Sequence, residues 1–117
     1  MILVVEDDPL LRLGACAVLR EAGYGTLEAA DAEEAIDILE HREDIGVVFS
    51  DIQMPGSLDG LKLAQTVRRR WPPIDMVLTS GRMTPRPEEL PARVRYLPKP
   101  FGTAELLAEI RQFATMP

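Results

Sequence analysis

The stretch Ile2-Leu3-Val4-Val5-Glu6-Asp7-Asp8 decides the fold, because four consecutive apolar residues run directly into three acids. Strands that are apolar on both faces are typical of the interior of a parallel sheet. Five strand-like runs of this general kind occur, at residues 2–5, 26–29, 47–49, 76–79 and 94–97. The first, third and fourth suit the interior of the sheet, whereas the second is more polar and suits an edge.

Longer stretches with apolar residues at helical spacing separate these runs. The stripes that we expect to face the sheet are Leu11, Ala15, Val18 and Leu19 in the first helix, and Ala32, Ala35, Ile36 and Leu39 in the second. A third helix fits residues 58 or 59 to 71, and a fifth fits residue 103 to about 114, with Leu106, Leu107, Ile110 and Phe113 inward.

The segment 82–93, where a fourth helix is expected, contains three prolines. Each proline removes an amide donor and disfavours helix in the preceding residue, so this fourth helix is predicted to be short or irregular. The alternation of strands and helices implies right-handed parallel crossovers. The sequence therefore predicts a three-layer α/β fold, a doubly wound five-stranded parallel sheet of flavodoxin-like order 2-1-3-4-5.

Composition narrows the classes of function. At 117 residues the chain fits one domain, 1–117, and the absence of a long apolar run or leader predicts a cytoplasmic protein without a membrane contact. The formal charge of −6 argues against direct nucleic-acid binding, which needs a basic face. Cys16 is the only cysteine, which excludes an intrachain disulfide and a metal site built from several cysteines.

Polar side chains follow four of the predicted strands. Glu6, Asp7 and Asp8 follow the first strand and Asp51 the third, while Thr79 ends the fourth and Lys99 follows the fifth between two prolines. In doubly wound sheets, ligands bind at the carboxyl ends of the strands, so these groups are expected to meet there. Clustered acids repel unless a cation joins them, and oxygen ligands favour Mg²⁺, or Mn²⁺, over zinc.

The order of these motifs resembles the receiver domains of two-component response regulators. A hydrophobic strand ends in paired acids, Asp51-Ile52-Gln53-Met54-Pro55 matches D-x-x-M-P, Thr79 follows, and Lys99-Pro100 matches K-P. The resemblance extends over essentially the whole chain. It implies a signalling domain, not an enzyme acting on external substrates, that assists its own phosphorylation and dephosphorylation.

The resemblance also implies roles for the acids. Asp51 would be the phosphoacceptor, Asp7 a direct Mg²⁺ ligand, and Glu6 an acid that reaches the metal directly or through water. Gln53 would contribute its backbone carbonyl. The alternative for the first three acids is a solvated turn that caps the first helix, and Asp8 is expected to be that cap.

The remaining implied roles concern switching. Thr79 would bond a phosphoryl oxygen, and Lys99 would pair with the acceptor carboxylate or phosphate, its backbone set by a cis bond before Pro100. Tyr96 would swing inward behind Thr79 and so alter the face made by residues 82–93, strand five and helix five. A tyrosine in a strand is also commonly a core residue, and that alternative stays open.

The implied partners are a sensor histidine kinase or histidine phosphotransfer protein and a downstream target or output domain. A homodimer through the face of residues 82–93, strand five and helix five is a further expectation. The sequence leaves open whether the domain stands alone or belongs to a larger protein. The loop after Asp51 is one residue longer than the commonest family spacing, which leaves the shielding of a phosphoryl group undetermined.

Two other functions compete with this interpretation. A haloacid-dehalogenase-like phosphatase or phosphotransferase would carry D-x-D after the first strand, whereas the nucleophile proposed here follows the third and has no second carboxylate two positions on. A degenerate receiver acting as a phosphorylation-independent interaction module is the second rival. The retained acids, Thr79 and Lys99 oppose it.

Overall fold

A computed structural model of the chain describes residues 1–54, 56, 58–82 and 84–114. The five strands are β1 Ile2–Val5, β2 Thr26–Ala29, β3 Val47–Asp51, β4 Asp75–Ser80 and β5 Val94–Pro98. The helices are α1 Pro9–Glu21, α2 Ala32–His41, α3 Gly60–Arg70 and α4 Thr103–Ala114, with a 3-10 helix at Pro87–Glu89. Pro55 of the D-x-x-M-P motif lies outside the described residues, as does Ser57 of the long loop.

All neighbouring strands pair in parallel in the order β2-β1-β3-β4-β5, which confirms the predicted architecture. Two apolar clusters cover the two faces of the sheet. One contains Leu3, Val48 and Met76 beneath α2 and α3, and the other contains Val4 and Val77 beneath α1 and α4. Alternate residues of β1, β3 and β4 thus enter opposite clusters, as strands buried on both faces require.

Short-range signals set the helix ends, and the predicted cap at Asp8 is confirmed. Asp8 and Asp31 cap α1 and α2 with side chains that accept backbone N–H bonds, and Gly23 after α1 has a φ of 99°. In the described part of the segment between β4 and β5, the helical structure is limited to the 3-10 helix Pro87–Glu89, none of whose residues is buried. The prediction of a short or irregular fourth helix is confirmed, and the predicted fifth helix is α4.

One inward position was predicted wrongly. Leu11 is 51% exposed, because the row of α1 that faces the sheet begins at Arg12 and continues through Cys16 and Leu19. Arg12 is held there by its guanidinium, which donates to the Glu6 carbonyl at 2.8 Å and to a Glu28 carboxylate oxygen at 3.0 Å. These polar contacts fix the rotation of the helix and leave Leu11 one position off the buried row.

In the fifth predicted helix, Leu106 and Ile110 are buried, while Leu107 and Phe113 pack partly buried against the same cluster.

Candidate functional site

The carboxyl ends of the strands bring the predicted polar groups to one edge of the sheet. Glu6 follows β1 directly, and Asp51 is the last residue of β3. Asp51 stands opposite Thr79 in the β3–β4 register, and Lys99 follows β5. Residues up to 93 positions apart in the sequence therefore come within hydrogen-bond distance of one another.

Glu6, Asp7 and Asp51 form an acid cluster in which one carboxylate oxygen from each lies within 4.8 Å of the others. Glu6 and Asp51 are buried, with 7% and 6% of their surface exposed, whereas Asp7 faces solvent. Burial is the main cause that raises the pKa of Glu6, and together with Asp7 and the charge of Asp51 it outweighs the opposing hydrogen bonds from the Asp8 N–H and from Lys99. Asp8 caps α1, as expected, and the cluster consists of the three acids that were predicted as metal ligands.

Lys99 bridges the two buried acids. Its Nζ lies 2.9 Å from Asp51 Oδ2 and 3.1 Å from Glu6 Oε1. Burial alone would lower the pKa of Lys99, but hydrogen bonds and charge from Asp51 and Glu6 together outweigh it and raise that pKa. The ammonium is therefore held charged beside the carboxylate of Asp51. The predicted cis bond between Lys99 and Pro100 is confirmed.

Thr79 contributes a hydroxyl that no described residue satisfies. The residue is 2% exposed, and its Oγ1 is buried without a hydrogen-bond partner in the described part of the chain. Buried hydroxyls in native proteins are usually bonded, because leaving one unpaired costs about 1–3 kcal/mol. Thr79 Oγ1 thus stands available to a group that enters beside Asp51.

The donor set fits a hard divalent cation. When the three carboxylates are ionised, Lys99 compensates only one of their charges. Every clustered ligand is a carboxylate oxygen, and such ligands suit Mg²⁺, which keeps several water molecules in its shell. The exposed position of Asp7 leaves the cluster open to solvent, where those waters can remain.

Gln53 joins the site through two contacts. Its backbone N–H donates to Asp51 Oδ1 at 3.2 Å, and its side-chain Oε1 accepts a 2.7 Å bond from the hydroxyl of Ser80. The Ser80 hydroxyl in turn accepts the backbone N–H of Arg82 at 3.2 Å. Sequence reasoning gave Ser80 no role, although a hydroxyl directly after Thr79 at the end of a buried strand was a signal for one.

Tyr96 is half-buried on β5, beside the end of β4. Its hydroxyl donates to the backbone carbonyl of Ser80 at 3.2 Å, and its ring packs against the apolar cluster beneath α2 and α3. The tyrosine is thereby connected to the residue that follows Thr79. Its ring also has the core role that sequence reasoning left open as an alternative.

Comparisons with known proteins agree with this geometry. The family model of the response regulator receiver domain matches residues 2–111. The chain is 33% identical over 115 residues to sensor kinase CckA of Brucella abortus (strain 2308), with 95% of this chain and 12% of that protein covered. It is 34% identical over 113 residues to the transcriptional regulatory protein TcrA of Mycobacterium tuberculosis (strain ATCC 25618 / H37Rv), with 94% and 44% covered. The chain thus spans less than half the length of either relative.

Solved structures give the same result. The receiver domain of the hybrid histidine kinase CckA superposes with a TM-score of 0.80 at 36% identity, covering 95% of both chains. A response regulator receiver protein from Sinorhizobium medicae WSM419 superposes with a TM-score of 0.88 at 26% identity, covering 96% of this chain and 91% of that one. No helix among the described residues is long and apolar enough to span a membrane. The motifs, the strand order and these matches together show that the chain belongs to the response regulator receiver domain family, a family of two-component signalling domains.

Proposed function

We propose that this domain accepts a phosphoryl group on Asp51, in a Mg²⁺-dependent reaction, and changes a partner-binding face in response. The observation that carries the proposal is the surroundings of the Asp51 carboxylate. Asp51 is buried, the charged ammonium of Lys99 lies 2.9 Å from its carboxylate, and the register partner of Asp51 is Thr79, whose buried hydroxyl has no described partner. Both groups can bind the oxygens of a transferred phosphoryl group.

The reaction is an in-line displacement at phosphorus. A carboxylate oxygen of Asp51 forms a bond to the phosphorus of the donor while the bond from phosphorus to the donor's leaving group breaks. The product is an acyl phosphate on Asp51 that carries close to two negative charges and three strong acceptor oxygens. Such a transfer is accelerated mainly by positioning and by charge stabilisation, because little other covalent chemistry is needed.

Residues of the chain provide this stabilisation on two sides. Lys99 is already within 2.9 Å of Asp51 Oδ2 and can follow the negative charge as it moves onto the phosphoryl oxygens. The hydroxyl of Thr79 can donate to one of those oxygens, which would give it the partner it lacks among the described residues. The backbone N–H of Gln53 bonds Asp51 Oδ1 and so orients the nucleophile.

The acid cluster supplies the metal site in this proposal. Asp7 and Asp51 would bind Mg²⁺ directly, Glu6 directly or through water, and Gln53 through its backbone carbonyl. The bound ion would neutralise negative charge on the phosphoryl oxygens and on the three acids. Mn²⁺ has the same ligand preference and would replace it in the reaction.

The response of the domain would start at Thr79. If its hydroxyl moves toward the phosphoryl group, the end of β4 moves with it. The Ser80 carbonyl, which now accepts the hydroxyl of Tyr96, then changes position and alters the packing of that ring. In this way charge at Asp51 biases the face made by residues 82–93, β5 and α4.

The proposal includes the setting of the domain. One relative is a sensor kinase and the other a transcriptional regulator. We propose, accordingly, a histidine kinase or histidine phosphotransfer protein as donor, and an output domain or a separate protein as target. The domain boundary 1–117, the cytoplasmic location and a homodimer through residues 82–93, β5 and α4 remain predictions.

The test is incubation with acetyl phosphate and Mg²⁺, followed by intact mass spectrometry. We expect one added phosphoryl group, which should not form when EDTA is present from the start of the incubation and should be absent in Asp51→Asn. Asp75→Asn is the matched control, because Asp75 lies at the opposite end of β4 and pairs with Arg93. An adduct that survives Asp51→Asn, or no adduct in the unchanged protein, would overturn the proposal, and the latter result would favour a phosphorylation-independent module.

A further inference from the structure

Next to the phosphorylation site, α1 and α4 leave an apolar groove between them. Resting on the proposed function, we propose that this groove holds the acyl chain of small-molecule acyl phosphates, so that the domain takes its phosphoryl group preferentially from donors with chains longer than acetyl. The phosphoryl end of such a donor would lie at Asp51 and its apolar end between the two helices.

The groove has the size of a small-ligand site. Its volume is about 440 Å³, within the range of roughly 300–1,000 Å³ that is common for such pockets. The lining is mostly apolar, with Leu11, Ala15 and Val18 on α1 and Phe101 and Leu106 on the opposite wall. An acyl chain would remove these surfaces from water, which is favourable in proportion to the apolar area covered.

Gly14 lines the groove from the middle of α1 without a side chain. A Cβ built there meets no atom within 4 Å, so a side chain at this position would find open space. A larger residue in this position would occupy the space between the helices. Leu10 and Leu11 border the same opening and are 79% and 51% exposed, which adds apolar surface at its mouth.

The groove is continuous with the phosphorylation site. Glu6, Asp51, Thr79 and Lys99 belong to its lining, so one end is charged and the rest apolar. With the divalent cation of the proposed function held by the acid cluster, this end would accept the dianionic head of an acyl phosphate, and the apolar part of the groove would accept its chain. Lys99 supplies the positive charge and Thr79 a buried hydroxyl without a described partner, both next to the nucleophile. A wholly apolar ligand would have no group to pair with the charged end of the groove.

The chemical step is balanced without any further reactant. A carboxylate oxygen of Asp51 attacks phosphorus, and the bond between phosphorus and the acyl oxygen breaks. The leaving group departs as a carboxylate with the electron pair of that bond. Acetyl and butyryl phosphate release carboxylates of nearly equal basicity, so their intrinsic reactivity toward the same nucleophile is nearly equal. A difference in rate between them therefore reports contacts of the chain with the protein.

The experiment compares the two donors at concentrations far below saturation, with Mg²⁺, and follows the phosphorylated protein by intact mass. Two additional buried methylenes are expected to raise the second-order rate constant about tenfold for butyryl over acetyl phosphate. The ratio of the two rate constants is then measured in Gly14→Leu, whose side chain fills the groove. We expect a ratio close to one. Gly14→Ala, which adds a single methyl group, is expected to give an intermediate ratio.

Gly46→Leu is the matched control, because Gly46 is also exposed, precedes β3 at the other end of the sheet and has no atom within 4 Å of a built Cβ. It should keep the tenfold ratio. Equal rates for the two donors in the unchanged protein, or a preference that persists in Gly14→Leu, would overturn this inference alone. Absence of phosphorylation by either donor would instead overturn the proposed function on which it rests.

Discussion

Replacing Lys99 by methionine tests the electrostatic account of the site. Methionine keeps most of the apolar stem but removes the ammonium that lies 2.9 Å from Asp51 and 3.1 Å from Glu6. Breaking one side of a buried ion pair commonly costs 3–5 kcal/mol. The Lys99 side chain is 24% exposed, so solvent screens part of this interaction. We expect the free energy of unfolding to fall by about 2 kcal/mol at neutral pH without divalent ions.

The pH dependence of this loss has a definite sign. Burial already raises the pKa of Glu6, and removal of the neighbouring ammonium raises it further. A carboxyl whose pKa is higher in the folded than in the unfolded protein contributes stability below its unfolded pKa. That contribution disappears as the pH rises through the folded pKa. The loss caused by Lys99→Met should therefore be larger at about pH 7.5 than at about pH 5.

The assay is urea denaturation at both pH values in the presence of EDTA. With a slope of roughly 2 kcal/mol per molar, the expected loss lowers the urea midpoint by about 1 M at the higher pH. Lys62→Met is the matched control, since Lys62 is the only other lysine and lies exposed on α3. A loss in Lys99→Met that equals the control, or that is the same at both pH values, would refute the reasoning.

Two further experiments, one substitution and one chemical modification, test the packing around the site. A Cβ on Gly60 would lie 2.4 Å from the backbone oxygen of Asp51. Gly60→Ala should therefore lower the free energy of unfolding by about 2 kcal/mol, measured by urea denaturation, and slow phosphorylation, measured by intact mass. Unchanged values would contradict this expectation and show that α3 can move aside. Cys16 is 1% exposed, and burial raises the pKa of its thiol. The folded protein should therefore react with a thiol reagent far more slowly than the urea-unfolded protein. Equal rates would contradict the described position of α1.

The sequence was sufficient to predict the fold and to predict that the site residues lie close together. Parallel strands have their carboxyl ends at one edge, so the positions of Glu6, Asp51 and Lys99 relative to the apolar runs already indicate that they approach one another. Their distances follow from the register, for which the sequence contains no direct signal. The bond between Ser80 and Gln53 depends on such distances, and it was missed for that reason.

The rotation of α1 could not be derived from apolar spacing. Leu10, Leu11 and Leu13 are all apolar and lie within about one turn of α1, so each could begin a buried row, and several rows fit the pattern. The structure selects the row that contains Arg12, because its guanidinium has acceptors on Glu6 and Glu28. An arginine at the start of a buried row contradicts simple hydrophobic patterning. The groove beside Gly14 could not be predicted from apolar spacing either, because a glycine contributes no side chain to such a pattern.

The proline-rich connection between β4 and β5 bears on how the phosphorylated state would be transmitted. Its one helix among the described residues is Pro87–Glu89, which buries no residue, whereas α1 and α3 each bury residues against the sheet. Among the residues of this connection that the structure describes, Pro85 is buried and Leu90 packs partly buried against the apolar cluster. A segment with so little buried surface can rearrange at a small cost in free energy. In the proposed response, a limited movement of Tyr96 beside it would then be enough to change the surface that a partner meets, without repacking a full helix.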